Sequence, residues 1–167
     1  MGAEVLNAAG IDGYEIVSFP SDPTTAADTR EVCRAFADAG VDLILFCGGD
    51  GTARGVLDVV GRSVPILGIP AGVKMYSAAF AVTPAAAASI VSDLSATQTS
   101  NVDILDVDEE AYREGRLSVR LYGAARSPSL PGKIQWAKAV FEETDDERAK
   151  EEIARFIAEV MVPGVLY

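Results

Sequence analysis

The sequence predicts an α/β fold, and three observations carry that prediction. Short apolar runs alternate with helical patterns through the first two-thirds of the chain, at the spacing of βαβ units. Residues 42–47, Asp-Leu-Ile-Leu-Phe-Cys, hold the continuous apolar run that a strand covered on both faces of a parallel sheet requires. Two apolar strands, that one and another at 64–69, each end in a glycine turn.

Taken in order, residues 13–19 (Gly-Tyr-Glu-Ile-Val-Ser-Phe) read as a strand and Pro20-Ser21-Asp22-Pro23 as a turn. Thr24 to Ala39 reads as a helix. Thr25 and Asp28 stand at capping-box spacing, Val32, Phe36 and Ala39 share one face, and Gly40 ends it. The strand at 42–47 runs into Gly48-Gly49-Asp50-Gly51-Thr52, after which Ala53 to Val60 is helical in pattern. Val64 to Ile69 is the next strand and closes in a second glycine turn, Pro70-Ala71-Gly72. Met75 to Val82 and Pro84 to Leu94 read as helical, with Pro84 suited to a first helical turn.

Ser95 to Ser100 is polar and small, which marks a domain boundary and divides the chain into 1–97 and 98–167. Beyond it, Val102–Val107 and Leu117–Ala124 alternate apolar and polar residues as antiparallel strands do, and they begin a β-rich second domain. Thr144-Asp-Asp-Glu147 caps an amphipathic helix to about Met161, and Val165-Leu-Tyr167 has the character of another strand opening.

Composition excludes several function classes. Of 167 residues, 25 are Asp or Glu and 14 Lys or Arg, a net charge of −11, so a broad basic face for nucleic acid is not expected. Histidine is absent, which removes the Ser-His-Asp triad, the Cys-His dyad and imidazole metal ligands at once. Proton transfer then falls to Asp, Glu, Lys, Tyr or Cys. Cys33 and Cys47 form no CxxC pair and read as reduced, buried thiols. The first ten residues do not read as a signal peptide, and no run of about 18 apolar residues suggests a membrane span. The expectation is a soluble cytoplasmic protein that binds neither membrane nor nucleic acid, with homo-oligomerisation left open.

The chemistry concentrates in the two glycine turns at 48–52 and 68–72. In an open α/β sheet, loops at the carboxyl ends of strands line one crevice, so these two converge. Glycines let backbone N–H groups approach a phosphate, and the following helix adds its positive N-terminus. Asp50 then needs a reason, because an acid among phosphates repels them unless it binds a cation or takes a proton from an attacking hydroxyl. Spacing excludes GxxxxGK[ST] and GxGxxG. As a bare pattern, GGDG also fits an ordinary tight turn.

Cys47-Gly-Gly-Asp-Gly-Thr52 after an apolar strand resembles the signature shared by NAD kinases, diacylglycerol and sphingosine kinases, and 6-phosphofructokinases. Leu67-Gly-Ile-Pro-Ala-Gly-Val-Lys-Met-Tyr-Ser-Ala-Ala-Phe80 narrows the resemblance to the ATP-NAD kinase-like family that includes the acetoin-catabolism X proteins. Thr24–Thr29, Asp106–Glu110 and Arg113–Arg116 point the same way. The resemblance implies a Rossmann-like, NAD kinase-type α/β domain, N-terminally incomplete, and a partial second domain with the active site in the cleft between the two. It implies ATP-dependent phosphorylation of a hydroxyl on NAD or a related metabolite, with Asp50 as the base. Gly48, Gly49, Gly51, Thr52 and Gly72 would serve the nucleotide, and magnesium would offset its charge, although no protein metal ligand is assigned. Arg54 and Lys74 are the candidate neutralising cations. The Asn-Glu pair by which NAD kinases hold the nicotinamide-side ribose has no counterpart here. Two alternatives share the motif: a non-catalytic nucleotide-binding regulator, and a kinase of lipids or small hydroxy-ketones.

Overall fold

The computed structural model describes residues 2–71, 75–107 and 119–135. Gly72, Lys74, Trp136, the helix predicted at 144–161 and the strand predicted at 165–167 lie outside the described residues. The element order is α1 (Gly2–Ala8), α2 (Ala26–Asp38), β1 (Ile44–Gly48), α3 (Asp50–Val60), β2 (Ile66–Pro70), α4 (Pro84–Ser92), a 3₁₀ turn (Leu94–Ala96), β3 (Thr99–Val107) and β4 (Val119–Pro128). This is the predicted alternation of strand and helix followed by an antiparallel hairpin.

β1 and β2 pair in parallel, with Ile44 beside Ile66 and Gly48 beside Pro70, and α3 is the crossover between them. Phe80 continues this sheet through a parallel bridge to Gly68, and Ala81 bridges Ile134 in the antiparallel sense. The main core packs Cys33, Phe46, Val56, Ile66 and Phe80 together with Ile104 and Ala125 of the β3–β4 hairpin. A second cluster of Leu67, Ala81, Ala87 and Ile90 covers the opposite face of β2 under α4.

Local chemistry explains the helix ends. Asp28 reaches back to the backbone N–H of Thr25 (2.6 Å) and so caps α2 as its spacing predicts. At the far end Gly40 takes φ 72° and bonds Ala37 while Val41 bonds Phe36, a Schellman stop. Thr83 accepts from the Ala86 amide (3.0 Å) and Pro84 opens α4.

Four readings of the sequence need correction. Residues 13–19 form no strand: none of the four described strands pairs with them, and Phe19 is 83% exposed, since an alternating pattern without a ladder partner does not make a sheet. Residues 75–82 are not helical, because the amides of Tyr76 and Ser77 go to Asp50 and that of Ala78 goes to the Asp103 carbonyl. α3 begins at Asp50 rather than Ala53, with the Ala53 amide closing on the Gly49 carbonyl at 3.0 Å. β1 is covered on one face only: Leu45 and Cys47 are exposed, so Cys33 is the buried thiol and Cys47 is not. Its position explains this, for β1 is paired on one side and α4 packs over β2.

Two outcomes follow from this packing. A Cβ at Gly68 would overlap the Phe80 ring and stand 3.0 Å from Phe46 Cζ, so Gly68→Ala is expected to lower stability by about 2 kcal/mol or more in urea unfolding. Asp28 is held well below the usual carboxylate range, chiefly by the Ser21 amide and then by the Ser21 and Thr25 hydroxyls. A depressed folded value means that its stabilisation is complete at neutral pH and is lost as pH falls through that value. The gap in Tm between wild type and Asp28→Asn, open at pH 7, is therefore expected to narrow progressively below pH 3.8, as followed by thermal melts.

Candidate functional site

Parallel pairing in register places the carboxyl ends of β1 and β2 side by side, so the two glycine turns meet as their positions in the sequence predict. The Ala71 amide donates to the Gly48 carbonyl at 3.3 Å, which ties the turns to each other. Gly48 is glycine for a steric reason: a Cβ there would overlap the Thr52 side chain. Gly49 is the N-cap of α3 in extended conformation, and Asp50 and Gly51 occupy its first turn. The Thr52 and Ala53 amides both close on the Gly49 carbonyl at 3.0 Å, while those of Asp50 and Gly51, at the first two helical positions, have no acceptor within the helix and point out of its positive end.

Gly51 is the informative glycine. It is exposed, its φ lies outside the left-handed region, and a Cβ built on it would meet nothing within 4 Å. Neither packing nor backbone conformation asks for glycine there. Space kept open over the amides of a helix start is what an approaching oxyanion requires.

Asp50 is 9% exposed, and its carboxylate ties the first glycine turn to residues 76 and 77. Oδ2 accepts from the Tyr76 amide at 2.8 Å and Oδ1 from the Ser77 amide at 2.9 Å. A carboxylate has about four acceptor positions, so two amides leave it capacity for a further donor. Ser77 is fully buried, and its hydroxyl oxygen accepts from the Leu105 amide at 2.9 Å. That amide sits where the β3–β4 register slips, between Ile104 and Leu105. Spacing did not single out Ser77. The available signal was one small polar residue inside the apolar stretch Met75–Val82.

Arg54, one turn into α3, lies with its guanidinium 5.3 Å from the centroid of the Tyr122 ring. The Tyr122 hydroxyl donates to Asp58 at 2.7 Å, and Asp58 also pairs with Arg30 at 3.4 Å. The hydrogen bond to Asp58 pushes the Tyr122 phenol above its ordinary pKa. This cluster joins α2, α3 and β4 at the surface. Thr25 and Asp28 act as the cap of α2. Lys74 and Gly72 are outside the described residues, and among the described residues no three metal-ligating side chains cluster.

A glycine turn at the end of a parallel strand, an exposed helix start and a buried aspartate held by two amides thus stand together. The family model for the ATP-NAD kinase N-terminal domain matches residues 1–99. No curated protein and no solved structure matches the chain. The matched region takes in both glycine turns and all of α1 to α4, and the chain therefore belongs to the ATP-NAD kinase-like family.

Proposed function

We propose that this chain supplies the nucleotide-binding part of an ATP-dependent phosphotransferase that phosphorylates a hydroxyl of NAD or a related small metabolite. Family membership supports a kinase-type reaction, and the open helix start at Gly51 is the observation that carries the binding mode. In this reading the amides of Asp50 and Gly51 and the Thr52 hydroxyl receive phosphate oxygens, with Gly48, Gly49 and Gly72 shaping the turns. Arg54 and Lys74 offset charge in a chain whose net charge is −11. ATP supplies the transferred phosphoryl group, and magnesium neutralises it when bound. Asp50, held by two amides, accepts the proton of the incoming hydroxyl with its remaining acceptor capacity. Residues 1–97 form the α/β domain and 98–167 begin the β-rich domain of a soluble cytoplasmic enzyme.

A second reading, a nucleotide-binding regulator without transfer, has one observation in its favour. Both carboxylate oxygens of Asp50 are already engaged by the backbone, so the residue has a complete structural role.

Gly51→Ala separates binding from folding. Alanine is the better helix former, so the variant is expected to be more stable by about 0.5 kcal/mol. It is also expected to bind magnesium-ATP about fivefold more weakly in titration calorimetry, the equivalent of roughly one lost hydrogen bond. Gly55→Ala, where a Cβ also meets nothing within 4 Å, serves as the control that leaves ATP binding unchanged. A Gly51→Ala protein that binds ATP like wild type would remove the phosphate from this turn.

Asp50→Asn distinguishes the two functional readings. The amide cannot accept two backbone N–H groups as a carboxylate does, and stability should fall by about 2 kcal/mol. At a temperature where the variant is folded, ATP binding is expected to persist while phosphorylation of the acceptor, screened among NAD, sphingoid bases and hydroxy-ketones, is abolished. Turnover equal to wild type would leave Asp50 as a structural bridge only. Wild-type ATP binding with no acceptor phosphorylated would establish the regulator.

A further inference from the structure

The segment that aims Asp50 has no helix or ladder of its own. Residues 75–78 are irregular, yet two consecutive amides in them, at Tyr76 and Ser77, each hold one oxygen of the Asp50 carboxylate. Something must keep those amides in place. Two bonds to β3 do so: the Ala78 amide donates to the Asp103 carbonyl (2.9 Å), and the Leu105 amide donates to Ser77 Oγ (2.9 Å). The second joins a side chain of this segment to the hairpin, and it uses the Leu105 amide, beside the register slip after Ile104. The residue skipped at the slip is Tyr122 of β4; Leu105 keeps Leu121 as its partner across the hairpin, and its amide meets the buried Ser77 hydroxyl.

We propose that Ser77 is the positioning residue for Asp50. Its hydroxyl anchors the segment on β3, its own amide binds Oδ1, and its neighbour's amide binds Oδ2, so one buried side chain sets where the carboxylate of the glycine turn stands. This rests on the reading that Asp50 receives the proton of the acceptor hydroxyl. The glycine turn that receives ATP lies across the carboxylate from Ser77, so disturbing Ser77 is expected to act on the transfer step and not on nucleotide affinity.

The test measures turnover and amide exchange in the full chain. Ser77→Ala is expected to lower kcat by about tenfold or more, the scale on which sub-ångström misplacement of a reacting group acts, with KM for ATP within about twofold of wild type. Ser77→Thr, which keeps the hydroxyl, should restore most of kcat. A Ser77→Ala enzyme with wild-type kcat, or with kcat and KM for ATP changing in parallel, overturns the proposal. Hydrogen exchange reads the anchor without turnover. In the wild-type chain the Tyr76, Ser77 and Leu105 amides are expected to exchange at similar slow rates. Fast exchange at Tyr76 and Ser77 beside a protected Leu105 overturns the proposal even if no variant folds. Failure of wild type to phosphorylate any acceptor sinks the Asp50 reading instead, and leaves the exchange result to decide the anchor.

Discussion

The missing side chain at Gly68 is the constraint on which the described structure depends. It lets the Phe80 ring lie against β2, where a methyl group would collide, and the ring meets Phe46 edge-on with centroids 5.6 Å apart and planes at 69°. Burying such a side chain contributes about 2 to 3 kcal/mol, and the aromatic pair adds roughly 1 more. The backbone follows the ring. Gly68 donates to the Ala79 carbonyl (2.7 Å) and accepts from the Ala81 amide (3.0 Å), so residues 79–81 join the parallel pair as a third member. Once Phe80 is seated, the preceding residues must pass beneath the glycine turns, and Tyr76 and Ser77 arrive opposite Asp50.

That route resolves an electrostatic conflict at the site. A carboxylate at the start of a helix is stabilised by the helix dipole, but it is also the group that a phosphate at the same place would repel. In this chain the Asp50 carboxylate turns toward the amides of Tyr76 and Ser77. Its charge is matched by fixed backbone donors inside the protein, while the exposed start of α3 at Gly51 is left open on the other side. Under the proposed function, one helix start serves two anions, its own aspartate inward and a ligand oxyanion outward. The acidic chain does not need a basic surface to do this; it needs oriented dipoles at one point.

The parts of the fold written in short-range pattern were legible. The apolar runs of β1 and β2, the cap of α2 at Thr25 and Asp28, the Pro84 start of α4 and the two hairpin strands all stand near where periodicity and capping put them. Apart from the start of α3, set by the neighbouring Gly49 carbonyl, the misses have one cause: each depended on a partner far away in sequence. Residues 13–19 carry a strand pattern but gain no ladder. Residues 75–82 carry a helical pattern but lose their amides to Asp50 and Asp103. Leu45 and Cys47 are as apolar as their neighbours, and only the placement of α4 over β2 decides that they are exposed. Within the site, Gly48 and Asp50 could be found from the motif, whereas Ser77 could not, because its importance lies in a β3 amide 28 residues away.

The local rules that fail in this chain fail together, around one turn. Gly51 is a poor helix residue inside a helix start, Asp50 is a buried acid, Ser77 is a buried hydroxyl in an apolar run, and residues 75–78 give up the helix that their pattern favours. Each departure carries a cost in stability, and a sequence shaped for folding alone has cheaper solutions at every one of these positions. The departures are also mutually dependent. Asp50 can be buried only because the 75–78 segment is not helical, and that segment can forgo its helix only because Asp50 and β3 take its amides. Such a closed set of compensations is what a preorganised site demands: the donors and the acid are held in place before any ligand arrives, and the energy of holding them is supplied by the core that Gly68 and Phe80 build beneath.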